Sequence, residues 1–154
     1  MNVKTIITQL KQKYPGKTII KNMDKDGIVS EILCETEPTQ NHSQYSEAVA
    51  IIDASMMHFH KKLQETYTVL SGELTIITDV KQIKLKKGDK ATMKPGTVHA
   101  NVGNETWAHV YSEPGWTLGD HIPLEDLMKQ VVAGSQSDVK VRVIRAIHSR
   151  PKPS

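Results

Sequence analysis

One cysteine stands in the 154 residues, Cys34, so no disulfide can form within the chain, and a reducing cytoplasm is the expected address. Aromatic residues are scarce too, at 5%, with Phe59 the sole phenylalanine. A nucleic-acid surface normally joins a basic stripe to stacking aromatics or a recognisable reading element. Here a net charge of +3 comes from scattered lysines, clustered locally at Lys81, Lys84, Lys86, Lys87 and Lys90, and no nucleic-acid partner is expected. No apolar run nears the roughly 20 residues that cross a bilayer. MNVKTIITQLKQKYPG likewise lacks the apolar stretch and cleavage site of a secretory leader, so no membrane partner is expected. With no repeat, linker or low-complexity tract, the expectation is one domain over residues 1–154.

What is present divides by period. Val3, Ile6, Ile7, Leu10 and Tyr14 recur at helical spacing between Asn2, a capping residue, and the stop Pro15-Gly16, which predicts a short amphipathic helix over about 3–14. From about residue 28 to 112 the period changes. GIVSEILCETE, EAVAIIDAS, MMHFH, ETYTVL, ELTIITD, QIKLKKG, KATMKPG, VHANV and TWAHVYS are short, often β-branched, and separated by turn residues. Such regular short strands predict an all-β antiparallel sandwich or barrel. Cys34 falls in an alternating strand and reads as a small buried apolar residue. Over about 122–147 a short helix carrying Leu124, Leu127, Met128, Val131 and Val132, then a strand VKVRVIRAI, are expected to flank the barrel.

The chemistry is concentrated in HFHKKLQETYTVLSG. Side chains alternate along a strand, so His58 and His60 share one face and Phe59 takes the other. Glu65 opens the next strand, and Ser71-Gly72 turns the chain into ELTIITD. Two imidazoles and a carboxylate can thus converge inside a sheet. Buried without a partner, each would cost several kcal/mol or change its protonation, and a divalent cation removes that penalty. Pro95-Gly96 then reverses the chain ahead of His99, which enters a strand expected across the bowl from His58 and completes a three-histidine, one-glutamate set.

These two segments resemble the signature motifs of the cupin superfamily. The first motif runs His-x-His, three or four residues, Glu, six residues, Gly, and His58, His60, Glu65 and Gly72 fit it. Ile52 stands where a leading glycine is expected. In the second, Gly88, Gly96 and His99 match, while Lys94 replaces the first proline, with Pro95 beside it, and Gly103 replaces the final asparagine. The departures fall on turn residues and leave all four ligand types in place. The resemblance implies a double-stranded β-helix, or jelly-roll, barrel with short flanking helices and one divalent transition metal (Fe, Mn, Zn or Ni) in its bowl.

Residues near the motifs supply further candidates. Tyr67 follows Glu65 by two and Asn101 follows His99 by two, so each shares its neighbour's face and becomes a candidate substrate contact. Trp107, His109 and Tyr111 share one strand face; if it looks inward, Trp107 is a pocket wall and His109 a catalytic acid or base. Four ligands on an octahedral ion leave room for a small-molecule substrate. Lewis-acid, isomerase-type chemistry on a carbohydrate-like or hydroxy/keto-acid metabolite is the favoured expectation. A ferrous-iron dioxygenase and a non-catalytic sugar-binding protein are the alternatives, since fold and ligands do not select a reaction. A homodimer paired through sheet edges is expected.

Overall fold

The computed structural model describes residues 1–126. They form one helix, α1 (Val3–Lys13), followed by β1 (Thr18–Met23), β2 (Val29–Glu37), β3 (Ser46–Ala54), β4 (His58–His60), β5 (Gln64–Ser71), β6 (Glu73–Thr78), β7 (Gln82–Lys86), β8 (Lys90–Met93), β9 (His99–Glu113) and β10 (His121–Pro123). Every pairing among the described residues is antiparallel, and they fold as the expected all-β barrel. Most of the expected C-terminal helix and all of the following strand lie outside the described residues. Within them, residues 121–123 pair as β10 and residues 124–126 are helical.

The long strand β9 organises the barrel. It pairs with β4 and β6 through its first half, with β5 through its second, and with β3 along most of its length. VHANV and TWAHVYS, read as two strands, are therefore parts of one. Their join is irregular: Glu105 adopts a left-handed φ of 46°, and its N–H donates to Asp53 Oδ1 at 2.7 Å. At Gly103 a β-carbon would stand 2.6 Å from the Ile52 carbonyl oxygen, so only glycine fits there.

Two apolar clusters hold the fold. Inside the barrel lie Ala50, Ile52, Tyr67, Val69, Leu74, Ile76, Leu85, Met93, Ala108 and Val110. Outside it, α1 packs Ile6 and Leu10 against Ile32, Cys34, Val49 and Ile51. β3 contributes to both, which is why it reads as the nearly continuous apolar run AVAII instead of a strict alternation. Fully burying Leu10 contributes about 1.5–3 kcal/mol. Asn2 caps the helix, its side chain accepting from Thr5 N–H at 3.2 Å. β1 lacks a recognisable sequence signal because nearly all of it is exposed: among the described residues it is an edge strand, paired only with β2. Among the described residues, no helix is long and apolar enough to cross a membrane.

Candidate metal centre

His58 on β4 is the register partner of His99 on β9, so the two rings project from adjacent strands and lie 4.3 Å apart. The expected placement across the bowl is corrected: they are neighbours. Glu65 comes from β5, which does not pair with β4; it is held opposite Met93 of β8 and Ser112 of β9. The curl of the barrel brings these strands together. One donor atom each from His58, His60, Glu65 and His99 lies within 4.8 Å of the others, and all four residues are buried.

Hydrogen bonds set the tautomers. His58 Nδ1 lies 2.9 Å from the Met56 carbonyl oxygen, and His99 Nδ1 lies 3.0 Å from that of Thr97. A carbonyl only accepts, so each Nδ1 carries a proton, and Nε2 is the atom each ring turns inward toward the cluster. Among the described residues, His60 has no hydrogen-bond partner at either nitrogen. Its Nε2 stands 3.6 Å from Glu65 Oε2, and its Nδ1 stands 3.8 Å from Asp120 Oδ2.

This geometry fits a cation. Nε2 of His99 faces Glu65 Oε2 at 3.3 Å, lone pair against carboxylate if the ring is neutral. Ligand atoms at right angles around one ion, each about 2.1 Å from it, stand roughly 3 Å apart. The observed spacings of 3.3 and 3.6 Å are close to that. An ion at this point would resolve the facing lone pairs, satisfy His60, and accept nitrogen and carboxylate donors typical of first-row transition metals.

Electrostatics agree. Burial opposes charge on Glu65, but the His60 and His99 rings and the Tyr67 hydroxyl hold its carboxyl well below the usual carboxylate range. Burial, and then the proximity of His99, lower the pKa of His58 to about 3, keeping it neutral as a ligand must be. Tyr67 donates its hydroxyl to Glu65 Oε2 at 2.6 Å. Burial first, and then the Glu65 charge, raise its own pKa, so it remains a donor. Asn101 is fully buried on the inner face, opposite Ile76, and neither of its side-chain polar atoms has a hydrogen-bond partner among the described residues.

His109 and Trp107 are elsewhere, which reverses the expectation that their strand face looks inward. Ala108 and Val110 belong to the interior cluster, so Trp107 and His109 point outward. Trp107 packs against the α1 cluster, and His109 Nε2 meets Glu47 Oε2 at 2.8 Å on the outer surface. The irregularity at Gly103–Glu105 is the cause: Asn101 and Thr106, five positions apart, both face in.

Other residues enter unannounced. His121 is the register partner of His60; its ring stacks on His58 at 4.3 Å and lies 6.1 Å from that of Trp116. Burial, and then His60, lower its pKa. Asp120 accepts from Lys62 N–H at 2.9 Å and Leu63 N–H at 3.0 Å, pinning the turn between β4 and β5. Neither carried a sequence signal, because the return of β10 to β4 is a long-range pairing. Glu31 on β2 was visible only as one polar residue in an alternating strand.

Residues 47–111 match the family model described as a cupin domain. A protein of Aquifex aeolicus (strain VF5), described as uncharacterized, is 34% identical over 77 residues, covering 49% of this chain and 62% of that protein. The chain thus spans less than two thirds of that relative's length. Pac13, described as a nucleoside dehydratase, superposes with a TM-score of 0.61 at 13% identity, over 71% of this chain and 86% of its own. Bacillus subtilis oxalate decarboxylase does so with a TM-score of 0.62 at 13% identity, over 78% of this chain and 34% of its own. An iron(II) form of HppE gives 0.54 at 15% identity, over 64% of this chain and 56% of its own. The barrel and its family match define the class: residues 47–111 of this chain form a cupin domain. Within that class it carries a three-histidine, one-glutamate cluster able to hold a metal ion.

Proposed function

We propose that the chain is a divalent-metal enzyme acting on a small polar, hydroxyl- and carbonyl-bearing metabolite by isomerase-type chemistry. The observation that carries this reading is the convergence of His58, His60, Glu65 and His99, with Nε2 of His58 and His99 turned inward and an ionised carboxylate, in a bowl that also presents polar groups. The bound ion supplies Lewis acidity, drawing electrons from a substrate oxygen. The chain's own residues do the rest. Tyr67 orients Glu65 by its hydroxyl, and the free amide of Asn101 offers a donor and an acceptor to a substrate hydroxyl. The outer-face positions of His109 and Trp107 remove them from this reading. Pac13 has been determined with uridine, so a barrel of this fold admits a hydroxyl-bearing small molecule.

Elemental analysis of tag-free protein, followed by metabolite screening with and without oxygen, tests the proposal. Turnover of a hydroxy carbonyl without oxygen is expected. Oxygen consumed stoichiometrically with substrate would replace this reading by an oxygenase, and binding without turnover under any metal would make the protein a carrier.

A further inference from the structure

Glu31 faces Asn22 across β1 and Ile52 across β3. Directly opposed residues of antiparallel strands share a face, and Ile52 lies in the interior cluster, so Glu31 looks into the barrel. It is half-buried, as expected of a side chain that lines a bowl without closing it. One hydrogen bond holds it, from Asn22 Nδ2 to Oε2 at 2.7 Å. Its cross-strand partners are Asn22 on β1 and Ile52 on β3, and among the described residues the charges it interacts with at longer range are those of Glu65 and Tyr67 on β5. Burial raises its pKa from 4.5 to about 7, and the Glu65 charge adds to this, against the lowering effect of the Asn22 bond. Glu31 is neither one of the four clustered donors nor an apolar filler, yet it carries a carboxyl into the same barrel interior.

We propose that Glu31 is the proton-carrying residue of the bowl, acting on a neutral α-hydroxy aldehyde or ketone held against the four-residue cluster. The inference rests on the isomerase reading above and deepens it. A carboxylate at this position repels an acidic substrate, which favours a neutral hydroxy carbonyl over a hydroxy acid. The Glu31 carboxylate removes the proton from the hydroxyl-bearing carbon. That C–H pair forms the double bond of an enediolate, while the carbonyl pair moves to its oxygen, which takes up the hydroxyl proton and leaves the negative charge on the other oxygen. Glu31 then returns its proton to the former carbonyl carbon as the other oxygen re-forms a carbonyl. Atoms and electrons balance with no co-reactant.

The test uses zinc-loaded protein, glyceraldehyde in D2O as the probe, and deuterium incorporation at carbon read by NMR. Glu31→Gln keeps the shape and removes the base. It is expected to take up zinc as the wild type does and to lose about a hundredfold in incorporation rate. Wild-type incorporation in Glu31→Gln would overturn the assignment. The Glu31 carboxyl resonance, found by its absence from the variant, gives a second reading without turnover. Half-titration near neutrality supports the assignment, and half-titration below pH 5 overturns it. If the wild type itself incorporates no more deuterium than free zinc does, the isomerase reading falls, and the resonance alone decides whether Glu31 is a proton carrier.

Discussion

His99 and His109 lie ten positions apart on one strand, and each has a glutamate within reach, at 3.3 and 2.8 Å. The shorter contact is the less informative. His109 and Glu47 form an isolated surface pair with 31% and 35% of their side chains exposed, in a setting where such pairs contribute little. His99 is 1% exposed, its other nitrogen is committed to a carbonyl, and two further imidazoles converge on the same carboxylate region. Function therefore follows convergence and burial. Which histidine receives them is decided by the backbone irregularity at Gly103–Glu105, since ten positions along a regular strand would place both on one face.

The comparison can be broken in order of effect. His99→Ala should cost a hundredfold or more in zinc affinity by competition titration, beyond the roughly 10–100-fold typical of losing an outer partner, whereas His109→Ala should leave affinity unchanged. Gly103→Ala should be the next largest effect, because the new methyl meets the backbone oxygen of Ile52 at 2.6 Å. About 1–3 kcal/mol of overpacking strain is expected, read as a fall in Tm. Tyr67→Phe removes the 2.6 Å bond to Glu65 and should weaken zinc by roughly tenfold with the fold intact.

Glu31 gives a smaller effect with a defined sign. Its folded pKa of about 7 lies above the model-peptide 4.5, so the folded state holds a proton that the unfolded chain has released. Stability from this group is full below about pH 4.5 and is lost as pH rises toward 7. Metal-free Glu31→Gln should therefore gain in Tm over the wild type on going from pH 4 to pH 8, by on the order of 5 °C for a domain of this size. Smallest of all, His109→Ala should change stability by less than about 0.5 kcal/mol.

Much of this was legible from local pattern. Turn residues and short strands indicated the barrel, and strand parity placed His58 with His60 and Tyr67 with Glu65. Parity failed where the backbone departs from it. Nothing in VGNETW announces a left-handed Glu105, so parity alone cannot choose which face of TWAHVY looks inward, and the roles of His109 and Trp107 hang on that choice. Exposed β1 offers no periodicity to read, and Asp120 and His121 reach the site through a long-range pairing that local sequence does not encode.

Anomalous diffraction at the absorption edge of a loaded zinc ion tests the central claim most directly. One peak bounded by Nε2 of His58, His60 and His99 and by the Glu65 carboxylate is the expected result. A zinc-soaked crystal with no peak there, or with its peak at the His109–Glu47 pair instead, would contradict the account.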